Sequence, residues 1–239
     1  MRQKIKVTLS LMFLSVLTSV SAMHITEGFL PIKWAAFWSI VMLPIFFYGL
    51  KKVDKVLKED SKNKLLIGVI AAFAFTLSSL KMPSVMGSSS HPTGVGLGAI
   101  LFGPGVMVIV GIAVLIFQTL LLAHGGITTL GANSFSMAFA GPLVSYWIYK
   151  GLKKIRCPES VRVFMAATLG NWATYVVTSL QLALAYPDQS LGIMGSFTKF
   201  LGVFAVSQVP IAIVEGMLTI VIFNYIAQAK RSGGGLNET

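Results

Sequence analysis

Thr93-Gly94-Val95-Gly96-Leu97-Gly98-Ala99-Ile100-Leu101-Phe102-Gly103 is an apolar run bounded by Pro92 on one side and Pro104 on the other. A spanning helix needs about 17–25 residues, and this run falls short. Whether it crosses a bilayer decides the fold, because it sets the side on which every later segment emerges. The other apolar segments are residues 34–50, 65–80, 105–123, 134–149, 161–186 and 200–227, most of them near or above spanning length. Lys51, Lys52, Lys55, Lys58, Lys62 and Lys64 form one basic cluster between segments; Lys150, Lys153, Lys154 and Arg156 form another; Lys230 and Arg231 follow the last segment. Lysine and arginine concentrate in cytoplasmic loops, so these clusters are expected inside. Residues 23–33, 81–92, 123–133 and 187–199 carry only Lys33, Lys81 and Lys199 and are expected outside. The chain leaves the cytoplasm through residues 65–80 and must be back before Lys150. With 105–123 and 134–149 both crossing, the short run has to cross as well; a re-entrant loop would put lysines outside. The expectation is an all-α membrane protein, a compact bundle of about seven transmembrane helices with the N-terminus outside and the C-terminus cytoplasmic. The short passage is predicted as a short or broken helix extended by residues 86–92, with Gly103-Pro104-Gly105 as its inner turn.

Composition agrees. Of 239 residues 55% are hydrophobic and 11% charged, with a mean hydropathy of +0.79. A soluble domain carries about a quarter charged residues, so this chain has too little polar surface to cover a water-facing globule. The formal charge of +11 sits in short loops and forms no basic, aromatic-interleaved surface, which excludes nucleic acid as a partner. Cys157 is the only cysteine, so there is no disulfide framework and no cysteine-based metal knuckle.

Residues 1–22 have the three parts of a secretory signal: Arg2, Lys4 and Lys6, an apolar stretch over residues 7–16, and the small-residue site Val20-Ser21-Ala22. Cleavage is expected after Ala22, which leaves a single integral membrane domain over residues 23–231 and a disordered tail over 232–239. An uncleaved anchor helix is the competing reading. Cleavage exposes a free amine on Met23.

All three histidines, His24, His91 and His124, fall in segments expected outside. After cleavage the chain begins Met23-His24. The amine of Met23, the amide nitrogen of His24 and its imidazole Nδ1 can close two fused chelate rings on one metal ion, in a plane that one further donor completes. Square-planar nitrogen sites suit Cu(II) or Ni(II), and low-spin Co(II) tolerates the same arrangement. An α-amine with a pKa of about 7.7–8.0 gives up its proton readily near neutral pH. His91 supplies the natural remaining donor. It lies in Gly87-Ser88-Ser89-Ser90-His91-Pro92-Thr93-Gly94, too polar to face lipid and therefore expected against protein or a cavity. Ser89 and Ser90 either hold the imidazole from behind or cap the following helix. His124, in Ala123-His124-Gly125-Gly126-Ile127-Thr128-Thr129-Leu130-Gly131-Ala132-Asn133, reads as a neighbour or gate of the site in preference to a direct ligand, or as a polar residue ending a helix before a Gly-Gly cap. Asn133 joins it as a candidate supporting residue. Glu215 is the one acidic residue deep in an apolar run; such carboxylates are functional candidates, and its role stays open.

Met23-His24-Ile25-Thr26-Glu27-Gly28-Phe29-Leu30-Pro31, the stretch Ser90-His91-Pro92-Thr93-Gly94-Val95-Gly96-Leu97-Gly98-Ala99-Ile100-Leu101-Phe102-Gly103-Pro104, and the stretch from His124 to Pro142 together resemble the CbiM family, the substrate-capture subunits of energy-coupling-factor (ECF) cobalt importers. The resemblance runs from about Met23 to Ile226. It implies Co2+ as transported substrate, held by the Met23 amine, the His24 amide and imidazole, and His91, with Ni2+ as the alternative because nickel relatives share these ligands. It also implies partners: an ECF transmembrane coupling subunit, two cytoplasmic ATPase subunits and a small accessory membrane subunit of the CbiN type. Import would feed cobalamin synthesis from the cell membrane, with no organic cofactor and no catalysis by this subunit.

The rival readings lack their motifs. A metal-dependent intramembrane enzyme would need a base beside an open metal, as in His-Glu-x-x-His, and none is present. A stand-alone secondary transporter would show inverted repeats, and none is visible. No Gly-x-x-x-x-Gly-Lys-[Ser/Thr] loop exists, so ATP hydrolysis must come from elsewhere.

Overall fold

The computed structural model describes residues 21–22, 24–80, 82–83 and 88–234. Apart from three strands of two or three residues, the described chain is helical. Helix α1 spans Ile32–Glu59, α2 Asn63–Ser79, α3 Val95–Phe102, α4 Pro104–Leu122, α5 Leu130–Asn133, α6 Gly141–Lys154, α7 Glu159–Ala185 and α8 Gly192–Gly234. A π-helical segment, Ser134–Ala140, joins α5 to α6 in one continuous passage. With that passage counted once, seven helical passages cross the bundle among the described residues, the number that the parity argument requires. By length and composition Ile32–Glu59, Pro104–Leu122 and the Gly192–Ser232 part of α8 are long and apolar enough to span a membrane.

The distribution of polarity is inverted relative to a water-soluble protein. Ile40, Leu43 and Phe47 of α1, and Val206, Met217, Val221 and Tyr225 of α8, are exposed, whereas Gln118, Asn171, Gln181, Gln208 and Glu215 are buried. Apolar side chains point outward because lipid solvates them, and polar ones turn inward because only protein can offer them partners. In α1 just 17% of the most apolar window is buried against 50% in α4, so α1 lies at the rim and α4 at the centre. The main core cluster gathers Ile70, Val95, Leu97, Met107, Val114, Leu115 and Met137 around α3 and α4.

The short passage crosses, but its helix is confined to Val95–Phe102, a length of about 12 Å at 1.5 Å per residue. The expected extension over residues 86–92 is, where described, extended chain: β3, Ser88–Ser90, pairs antiparallel with β2, Met82–Pro83, and parallel with β1, Ser21–Ala22. The helix cannot grow backward because Gly94 has φ +68°, a left-handed conformation. A Cβ there would stand 2.6 Å from the Ala74 Cα, so α2 also excludes any side chain. On the opposite wall Gly96 lets α3 approach α7 closely; its Cβ would lie 2.8 Å from the Ala167 Cα. The turn Gly103-Pro104-Gly105 shares a cleft with Lys52, Tyr146 and Lys150, which places it at the basic end of the bundle. The last helix continues through Gly234, so Ser232, Gly233 and Gly234 belong to α8 and not to a disordered tail. Residues 1–20 and 235–239 lie outside the described residues.

Candidate metal centre

The three low-charge segments that carry histidine meet at the end of the bundle opposite Lys52 and Lys150. His24, His91 and His124 are all buried, and each offers a ring nitrogen such that the ligand atoms lie within 4.8 Å of one another. Their ring centroids form a near-equilateral triangle with sides of 4.8, 4.6 and 4.9 Å. Three buried imidazoles gathered without a carboxylate make a nitrogen-rich pocket suited to a late first-row transition-metal ion.

Each imidazole arrives from a differently built segment. His24 precedes a stretch pinned along its backbone to the loop between α4 and α5. Asn133 accepts from the Ile25 N–H at 2.9 Å through Oδ1 and donates through Nδ2 to the Ile25 carbonyl at 3.0 Å. Thr129 Oγ1 donates to the same carbonyl at 2.6 Å, the Glu27 N–H donates to the Gly125 carbonyl at 3.2 Å, and the Thr128 N–H donates to Glu27 Oε2 at 3.2 Å. Hydrogen bonding by Thr128, through its side chain first and its backbone N–H after that, holds the Glu27 carboxyl below the usual glutamate range. Ile25 and Leu30 add apolar burial against Trp38 and Ala132.

His124 follows Ala123, whose φ of 47° ends α4 in the left-handed region. Its N–H donates to the Gln118 carbonyl at 3.1 Å, which turns the chain back over the helix end. His91 sits in the extended stretch before Gly94, where the Tyr175 hydroxyl donates to its carbonyl at 3.0 Å and Ser90 Oγ donates to Ser207 Oγ at 2.5 Å.

Hydrogen bonding sets the tautomers. His91 Nδ1 is 2.8 Å from the Pro92 carbonyl. A carbonyl only accepts, so Nδ1 carries the proton and Nε2 the lone pair of the neutral ring. His124 Nε2 lies 3.0 Å from that Nε2 and is the donor to it. His24 Nε2 is 3.1 Å from Gln118 Oε1, which leaves the lone pair on Nδ1, the nitrogen that an N-terminal chelate requires.

Met23 lies outside the described residues, as does the side chain of Ser89. Among the other sequence candidates, His24, His91 and His124 come together, Ser90 ties the His91 stretch to α8, and Asn133 clamps the segment behind His24. Gln118 was missed: a lone glutamine inside an apolar run carries no motif, and only its buried position on α4 marked it. Glu215 accepts hydrogen bonds from Thr93 and Gly94, placing it beneath the His91 stretch.

Residues 24–232 match the family described as CbiM, cobalt uptake substrate-specific transmembrane region. A "Cobalt transport protein CbiM" of Clostridioides difficile (strain R20291) is 56% identical over 231 residues, covering 95% of this chain and 92% of that one. Another protein of that name, from Roseiflexus sp. (strain RS-1), is 59% identical over 203 residues, covering 85% and 81%. Two solved structures share the fold at 28% identity. One, of a transition metal transporter, has a TM-score of 0.77 and covers 87% of this chain and 94% of that one; the other, of a truncated transition metal transporter, has 0.75 with 86% and 99%. On this extent of match, and on a multi-pass helical bundle with one buried histidine cluster among its described residues, the chain belongs to the CbiM family.

Proposed function

We propose that this chain is the substrate-binding membrane subunit of an ATP-driven importer of the ECF type, and that it captures Co2+ at the outer membrane face. The observation that carries the reading is the burial of His24, His91 and His124 with their ring nitrogens within 4.8 Å of one another, at the bundle end away from the lysine clusters. The positive-inside rule makes the histidine end external and the C-terminus cytoplasmic. The name borne by its relatives, cobalt transport protein, supports cobalt as cargo.

In this reading signal cleavage after Ala22 creates the amine of Met23. That amine, the His24 amide nitrogen, His24 Nδ1 and His91 Nε2 hold the ion. His124, now hydrogen-bonded to His91 Nε2, gives up that contact to the ion and stands beside it. Capture precedes transport; energy comes from two cytoplasmic ATPases acting through a transmembrane coupling subunit, with a small accessory membrane subunit of the CbiN type. The subunit catalyses no reaction, and the cobalt serves cobalamin biosynthesis. Ni2+ is the second reading, since an all-nitrogen donor set suits it equally.

The test is equilibrium binding to the purified, processed chain with Co2+ and Ni2+ in competition, and His91→Ala alongside. One Co2+ per chain, retained against equimolar Ni2+ and lost in His91→Ala, is expected. Preference for Ni2+ would move the cargo to nickel, and unchanged stoichiometry in His91→Ala would remove His91 from the site.

A further inference from the structure

We propose that Glu215 is a positioning residue for metal capture: from the middle of α8 it fixes the turn that carries His91, and so ties affinity for the cargo to the seating of that helix. The proposal rests on the metal-capture reading above.

Glu215 has no solvent exposure, and its two oxygens are saturated by one turn and one neighbouring helix. Oε1 accepts from the Gly94 N–H at 2.9 Å and from Thr93 Oγ1 at 3.0 Å. Oε2 accepts from the Thr93 N–H at 2.6 Å and from Asn171 Nδ2 on α7 at 2.6 Å. Two successive backbone N–H groups at the start of α3 are thereby satisfied inside the bilayer, where no water could serve them. The turn they belong to begins two residues after His91. Its other end is held from the same side, by Tyr175 of α7 on the His91 carbonyl and by Ser207 of α8 on Ser90. The His24 stretch, in contrast, is fastened by Asn133, Thr129 and Gly125. The donors of one metal site are thus carried on two separately fastened pieces of the fold, and Glu215 is the carboxylate that fastens one of them.

A mere filler of the α8 interface would not require a carboxylate. Glutamine has nearly the same shape, but its NH2 would face the N–H donors that now converge on Oε1 or Oε2. An apolar residue would leave the Thr93 and Gly94 N–H groups bare. Partners that orient a metal ligand from behind commonly control affinity by about 10–100-fold.

The experiment uses the processed full chain and Co2+. Wild type is titrated first; if it binds no Co2+, the capture reading fails before any variant is made. Glu215→Gln is expected to weaken Co2+ binding by about 10–100-fold and to alter the visible spectrum of the bound ion, while the metal-free chain still melts above the assay temperature. Asn171→Asp added to Glu215→Gln returns an acceptor oxygen to the amide that glutamine introduces, and it should recover part of the loss. Wild-type affinity and spectrum in Glu215→Gln would overturn the proposal, as would a loss that Asn171→Asp does not relieve at all. If Glu215→Gln does not fold, Thr93→Val decides. It removes the hydroxyl contact but keeps both N–H groups; a clear weakening upholds the proposal, and wild-type affinity overturns it.

Discussion

Asn133 offers the sharpest test of how the His24 segment is held. Its side chain makes a two-point contact with the backbone of Ile25, accepting from the N–H at 2.9 Å and donating to the carbonyl at 3.0 Å. Both residues are buried. In Asn133→Ala the Ile25 carbonyl keeps the Thr129 hydroxyl, but the Ile25 N–H loses its acceptor. An unsatisfied buried amide costs about 1–3 kcal/mol and a lost hydrogen bond about 1 kcal/mol. Docking of residues 24–28 should therefore weaken by about 2–4 kcal/mol, or roughly 30- to 700-fold at 1.4 kcal/mol per factor of ten. Local opening of that size is read by amide hydrogen exchange, so exchange over residues 24–28 should speed up while the protected amides of α4 and α7 change little. On the proposed capture reading only the docked segment presents His24, so apparent Co2+ affinity should fall in step with the docked fraction. Asn133→Asp is the diagnostic partner: it retains one acceptor but turns the other oxygen against the Ile25 carbonyl, and it should be at least as damaging as alanine. Wild-type exchange over residues 24–28 in both variants, with Co2+ affinity within about twofold, would refute this account.

Two other outcomes follow from the same geometry. Ala22→Phe, placed to block signal processing, should leave membrane insertion intact and abolish Co2+ binding, as checked by N-terminal sequencing and metal analysis; binding by the uncut chain would remove the amine from the ligand set. Asp188, in the loop between α7 and α8, is held well below the usual carboxylate range by Lys199 first, then by the N–H of Leu191 and by Ser190. Its contribution to stability is fully present above the ordinary aspartate pKa of about 3.9 and is lost as pH falls through the lower folded value. Melting temperature should accordingly decline below about pH 4, and Asp188→Asn should flatten that decline; identical acid profiles would exclude the Asp188–Lys199 contact as a contributor.

Much of the architecture was legible in the chain because a bilayer leaves few options. Charge alone placed the loops in two groups, and parity forced the short run at Thr93 to cross. The local form of its lead-in was not legible: a run of serines reads equally as a helix cap or as strand, and the decision was made by Ala74, which leaves no room at Gly94 for anything but a left-handed glycine. The wider winding over Ser134–Ala140 was also hidden, since it depends on how this passage packs between α4 and α7. At the site the histidines were visible as residue types on one side of the membrane. That His124 stands 3.0 Å from His91 Nε2 was not, because nothing in linear spacing reports how far a loop folds back over a helix end. Gln118 and Glu215 show the same limit: each is a lone polar residue in an apolar run, and its partners lie on stretches of chain far away in sequence.

The brevity of α3 has a consequence for biogenesis. A helix of about 12 Å covers less than half of a hydrocarbon core of about 30 Å, and its first five residues touch only protein. Such a segment has no resting place in lipid while the polypeptide is still being inserted. It can settle only after α7 and α8, which follow it in the chain, have arrived to wall it in and to receive the amides of Thr93 and Gly94. Until α8 arrives the turn before α3 has no acceptor for its amides, and a truncated product lacking α8 would reach the membrane with the Thr93 and Gly94 N–H groups unpaired.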